Sequence, residues 1–133
     1  MAVNSYKDLT VWQKAMDLVI WVYKLTEYLP QEERFGLTSQ MRRAAVSIPS
    51  NVAEGQRRKG RKEYSKFVTH AYGSGAELET QFEIVQRLGY LQGEQVVQVN
   101  ALLIEVMKML NGLIVSLEES VNPTTYNLRP TTL

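Results

Sequence analysis

The chain reads as an all-α protein, an antiparallel up-and-down four-helix bundle. Three observations carry that reading. Apolar residues return at three- and four-residue steps through four long segments, no segment alternates with the period of two that a half-buried strand needs, and the connections are short and marked by Pro30, Gly60 and Gly89. At 133 residues the chain is long enough for one domain with a real core and too short for two of ordinary size. The bundle is expected over residues 1–120, followed by an extended or disordered tail over 121–133 that has no helical pattern.

The first helix is predicted over about 10–29, with Thr10 as N-cap and Pro30 as the stop. Trp12, Ala15, Met16, Val19, Val22, Tyr23, Thr26 and Leu29 define its core face, while Val11, Leu18, Ile20, Trp21 and Leu25 add apolar surface beyond it. A second helix is expected over about 36–58. Its core face is Leu37, Met41, Ala44, Ala45, Ile48 and Val52, and the periodicity continues past Pro49, which predicts one helix kinked near that residue. The third helix follows Gly60 and runs over about 61–88, with Tyr64, Phe67, Val68, Ala71, Leu78, Phe82, Val85 and Leu88 inward and Gly89 as its stop. Small residues crowd Ala71 to Ala76, which costs helix propensity but admits a neighbouring backbone. The fourth helix, about 94–119, carries an a/d seam of Val96, Val99, Leu103, Val106, Leu110, Leu113 and Leu117. Gln98, Asn100, Glu105, Lys108 and Asn111 interrupt this apolar stretch, so it reads as a core helix and no membrane span is expected. Surplus apolar width on the first and fourth helices predicts self-association through them.

Charge is distributed unevenly. Between Arg34 and Lys66 stand nine basic residues and two acids, a segment of +7 within a chain whose formal charge is +1. The densest part, Arg57, Arg58, Lys59, Arg61 and Lys62, is what a polyanion would meet first. Arginine can contact phosphate oxygens through two donors, so Arg42, Arg57, Arg58, Lys59, Arg61, Lys62 and Lys66 are the candidate nucleic-acid-binding residues, using RNA or DNA backbone. No aromatic residue interleaves the Arg57–Lys62 loop, so base stacking and sequence-specific readout are not predicted there. The competing readings are a solvated turn, or a face that docks an acidic protein partner.

A hairpin of the second and third helices turning near Gly60 pairs residues whose numbers sum to about 120. Arg43 then faces Glu77, Ser47 faces Ser74, Asn51 faces His70 and Glu54 faces Lys66. Such a polar ladder either fixes register through buried hydrogen bonds or lines a site, and both readings stand. The chain has no cysteine and one histidine, His70, so disulfides, thiolate metal sites and multi-histidine sites are excluded. Gly55 to Lys62 resembles the phosphate-binding G-x-x-x-x-G-K-[ST] loop only superficially, because Arg61 and Lys62 replace the required lysine and hydroxyl. No cofactor and no metal are expected, and no enzyme. Catalysis would require Glu54, His70 and Glu77 to converge in a wet cleft. The amino terminus, Met1 to Lys7, lacks a secretory pattern, and a cytoplasmic location is expected.

Three strings carry a family resemblance: Leu9 to Ala15, Phe35 to Gly55 and Ala71 to Gln81. They look like the bacterial 23S ribosomal RNA intervening-sequence protein family, over about Tyr6 to Ser120. That resemblance implies an up-and-down bundle in a ring-like homo-oligomer such as a pentamer, encoded in some bacteria within insertions in 23S rRNA genes. It also implies kinship with basic accessory bundles of diversity-generating retroelements, which bind nucleic acid and a reverse transcriptase. The family has no established catalytic residue to carry over. Its motif residues Arg42, Arg43, Ser47, Asn51, Glu54 and Gly55 all stand here, and the resemblance leaves open whether they bind or build. The reading that follows is a non-enzymatic, oligomeric bundle that binds structured RNA through a basic face, with a protein-docking scaffold as the alternative.

Overall fold

A computed structural model describes residues 5–58 and 60–121. Four α-helices make up the fold: α1 (Thr10–Thr26), α2 (Leu37–Arg57), α3 (Arg61–Arg87) and α4 (Glu94–Val121). Each packs against its neighbours in sequence and α4 returns to α1, with the α2–α3 pair the most extensive, so the bundle is a closed ring of antiparallel helices. Because the four helices alternate in direction, the start of α1, the α2–α3 turn and the end of α4 share one end of the bundle. The α1–α2 and α3–α4 connections share the other. The tail from residue 122 onward lies outside the described residues, and Val121, assigned to it above, is the last residue of α4.

The core is built on Leu18, Val22, Met41, Ile48, Val68, Leu78, Phe82, Val85, Leu103 and Leu110, all buried. Along α4 the seam positions Val96, Val99, Leu103, Val106, Leu110 and Leu117 are buried as the a/d reading requires, and Leu113 is partly so. By length and composition α4 could cross a membrane. Its apolar seam packs against α1 and α3.

The core face of α1 keeps Ala15, Val22, Thr26 and Leu29 of the expected set and is turned from it by less than one residue's rotation. Val11, Ala15, Leu18, Val22, Leu25 and Leu29 are buried, whereas Met16 and Tyr23 are exposed and Trp12 and Val19 only partly covered. This helix is apolar on both flanks, so periodicity alone admits two faces. It also stops at Thr26, three residues early: Tyr28 and Leu29 donate to the carbonyls three residues back, at 3.1 and 3.2 Å, and Pro30 disfavours α geometry at Leu29. Thr10 is the first helical residue and not a cap. A 3₁₀ turn at Tyr6–Asp8 precedes it, tied down by Gln13 Nε2 donating to the Lys7 carbonyl at 2.9 Å.

Pro49 does not interrupt α2, which is continuous from Leu37 to Arg57 with the proline ring buried. The start of α2 is capped from outside. Glu33 Oε1 accepts from the Leu37 N–H at 3.3 Å, and Glu33 Oε2 accepts from the Tyr90 hydroxyl at 3.2 Å, which ties the α3–α4 connection to the α1–α2 connection. Partial burial, that hydrogen bond and the charges of Glu33 and Glu32 together raise the Tyr90 hydroxyl above its ordinary pKa.

A glycine sets one close approach. A Cβ on Gly55 would lie 2.7 Å from Phe67 Cβ, so α2 and α3 meet there as tightly as backbone allows. On the other side of α3 a Cβ on Gly75 would meet Met107 Sδ, the end of a flexible side chain of α4 and not its backbone, and Gly73 faces open space, so these two glycines do not provide the expected approach of a neighbouring backbone. At Gly89 the chain turns left-handed (φ 76°), with Tyr90 N–H donating to the Val85 carbonyl and Gly89 N–H to Gln86, a Schellman stop for α3.

Candidate nucleic-acid interface

The α2–α3 turn occupies one end of the bundle. Arg57 closes α2, Arg58 is extended, Gly60 takes φ 106° and α3 begins at Arg61 with no side-chain cap on its first turn. Arg61, Lys62 and Lys66 are exposed and make no ion pair among the described residues. Arg57 and Arg58 are also exposed but each lies over a ring, Arg57 at 5.5 Å from the centroid of Tyr6 and Arg58 at 5.0 Å from that of Phe67. Arg58 also bonds Glu54, one helical turn back, at 3.0 Å. Aromatic rings do therefore stand at this end, supplied from the Tyr6 turn and the α3 flank rather than from the loop itself. Lys59 lies outside the described residues.

Arg42 does not belong with this group. Its guanidinium sits on the first helix, far along α2 from the turn: Nε donates to Thr26 Oγ1 at 2.9 Å, Nη2 reaches the Tyr23 carbonyl at 3.3 Å and Glu27 Oε2 at 3.2 Å, and the plane lies 4.5 Å from the Tyr23 ring centroid. Thr26 is buried and donates in turn to the Val22 carbonyl at 2.7 Å. Arg42 is a clamp between α1 and α2. No part of this was visible from its position in a basic segment; the one signal was a threonine within the apolar run of α1.

Of the four predicted rungs between α2 and α3 one forms. Ser47 Oγ and Ser74 Oγ are 2.8 Å apart. Asn51 turns back onto its own helix, donating to Ser47 O at 2.8 Å and Ser47 Oγ at 2.9 Å, and so does not reach His70. Glu54 takes Arg58 in place of Lys66, and Arg43 is exposed with no bond to Glu77. Glu77 instead accepts a long 3.4 Å contact from Gln81, whose side chain is buried and whose Oε1 has no hydrogen-bond partner among the described residues. His70 is exposed, its ring 6.3 Å from that of Phe67. Glu54, His70 and Glu77 make no hydrogen bond to one another. No group of three metal-ligating side chains occurs among the described residues.

Taken together, the helix order and the closed packing define a small four-helix bundle. The chain belongs to the 23S rRNA-intervening sequence protein family, whose family model matches residues 7–112. In fold it is similar to the crystal structure, at 1.70 Å resolution, of a protein of unknown function from the S23 ribosomal protein family of Bacteroides thetaiotaomicron VPI-5482. That likeness has a TM-score of 0.73 at 24% identity, over 79% of this chain and 98% of the other. Among curated proteins, none matches this chain.

Proposed function

We propose that this chain is a non-enzymatic bundle of the bacterial cytoplasm that binds structured RNA through backbone phosphates at its α2–α3 end. The observation that carries the reading is the set of exposed cations, Arg61, Lys62 and Lys66, that no carboxylate neutralises among the described residues. Arg57 and Arg58 flank them, and Lys59 adds a charge in sequence. Membership of a family named for insertions in 23S rRNA supports RNA over DNA as the polyanion. Exposed apolar side chains on α1 (Met16, Ile20) and α4 (Val97, Ile104) support assembly into a homo-oligomer, in which several basic ends would act together.

Each neutralised phosphate contributes about −0.7 to −0.9 to the log–log salt slope, so five such contacts give a slope near −4. Fluorescence anisotropy of the full chain against a labelled RNA hairpin over a range of salt measures it. The double variant Arg61→Gln/Lys62→Gln removes two cations that hold no structural contact and should reduce the slope by about two. Salt-independent binding, or an unchanged slope in that variant, rejects the assignment. Protein partners captured from a lysate after nuclease treatment, with no RNA binding, would move the function to docking an acidic protein.

A further inference from the structure

A cleft lies at the opposite end of the bundle from the α2–α3 turn, where the C-terminal half of α1 faces the start of α2. It is open, with a volume of about 490 Å³. Tyr23, Arg34, Phe35, Thr38, Ser39 and Arg43 line it together with the clamped Arg42 and Val46. Three features set it apart from an ordinary surface hollow. Phe35 is 89% exposed, the most exposed large apolar residue among the described residues, and Tyr23 lining the same cleft is 41% exposed. Arg34 and Arg43 are both exposed and make no ion pair among the described residues, Arg34 lying 5.8 Å from the Phe35 ring centroid. Among the described residues no carboxylate lines the cleft: Glu27 bonds Arg42 and lines the adjoining hollow, while Glu33 is occupied by Leu37 N–H and Tyr90.

Scattered single apolar residues on a surface need no explanation. An 89% exposed ring with one unpaired guanidinium over it, and a second unpaired guanidinium and two hydroxyls lining the same cleft, is different. Its chemistry matches a ligand that has a flat π-face and a phosphate joined within one unit, which is the composition of a nucleotide. We propose that this cleft takes one unpaired nucleotide of an RNA strand, its base against Phe35 and Tyr23 and its phosphate between Arg34 and Arg43. The inference rests on the RNA reading above and deepens it, because the phosphates bound at the α2–α3 turn carry no preference for single strands. Arg43 and Arg57 are fourteen residues apart on one helix, about 20 Å along its axis. One RNA with a short unpaired segment beside a duplex can span both.

The test compares two labelled RNA hairpins, identical except that one has a single-stranded tail, by anisotropy at fixed salt with the full chain. Wild type should bind the tailed hairpin about tenfold more tightly, the size expected for one stacked base. Phe35→Leu keeps an apolar side chain and removes the flat ring, and should abolish that preference without changing affinity for the tail-less hairpin. Phe35→Trp should retain it. Arg34→Gln should lower the salt slope on the tailed RNA by about one and leave the other slope unchanged. Equal wild-type affinity for both hairpins, or an equal effect of Phe35→Leu on both, overturns this cleft and leaves the basic end standing. Loss of molecular mass by light scattering in Phe35→Leu, with the tail preference intact, assigns the ring to a contact between copies and overturns the proposal. Binding of neither hairpin by wild type overturns both readings.

Discussion

Replacing Arg42 by alanine separates building from binding within the basic segment. The guanidinium donates to a buried threonine oxygen at 2.9 Å, and a hydrogen bond from a charged donor contributes about 1.5–3 kcal/mol when desolvated, the lower figure applying to a side chain that is 26% exposed. Contact with the Tyr23 ring at 4.5 Å adds about 0.5–1 kcal/mol. The pair with Glu27, whose side chain is 74% exposed, adds close to nothing after screening. Arg42→Ala should therefore destabilise the fold by about 2–2.5 kcal/mol, read as a fall in the urea midpoint with an unchanged m-value. Arg42→Lys should recover only part of this, since an ammonium cannot reach Thr26, Tyr23 and Glu27 with one planar fork. The RNA salt slope of the folded variant should match wild type. A loss below about 1 kcal/mol, or a slope reduced by one unit, would refute the clamp and return Arg42 to the phosphate-binding set.

Other perturbations test the packing. Gly75→Ala should cost less than about 1 kcal/mol, because the new methyl meets only the flexible end of Met107, which can turn aside, and the better helix propensity of alanine offsets the rest. Adding Met107→Ala should cost less than the sum of the two single changes, as measured by a denaturation double-mutant cycle. Ser74→Ala removes the one rung between α2 and α3 and should destabilise by about 1 kcal/mol with no effect on RNA affinity, measured in the same two assays. Tyr90 holds its proton more tightly folded than unfolded, so its contribution is complete below its ordinary pKa of 10.0 and is lost as pH rises through the higher folded value. The urea midpoint should fall in that alkaline range, and Tyr90→Phe should flatten part of the fall.

Local patterns were legible wherever one apolar face had a clear polar opposite. The α4 seam and the α2 core face follow from spacing alone, and the Schellman stop at Gly89 follows from one glycine after a periodic run. Pairing across the α2–α3 hairpin was read correctly in register, since Ser47 does meet Ser74. The side chains on either side then chose nearer partners: Asn51 its own helix, Glu54 the arginine one turn away. Register is a backbone property, whereas long side chains satisfy themselves with whatever is closest. For α1, apolar surface on both flanks left its rotation undetermined until α2 and α4 were in place. The role of Arg42 depends on Thr26, Tyr23 and Glu27, sixteen or so residues earlier on another helix, and no spacing rule connects them.

The first turn of α3 sets like against like. Its exposed N–H groups form the positive pole of the helix dipole, no side chain caps them, and Arg61 and Lys62 place two cations on that pole, with Glu63 the only acid in the turn. Each cation there opposes helix formation by about 0.3–1 kcal/mol. The isolated chain is thus locally frustrated at this end. An anion seated against those N–H groups would relieve the dipole and the repulsion together, so occupancy of the basic end and order in the first turn of α3 should rise as one event, visible as slowed amide exchange there when RNA is added.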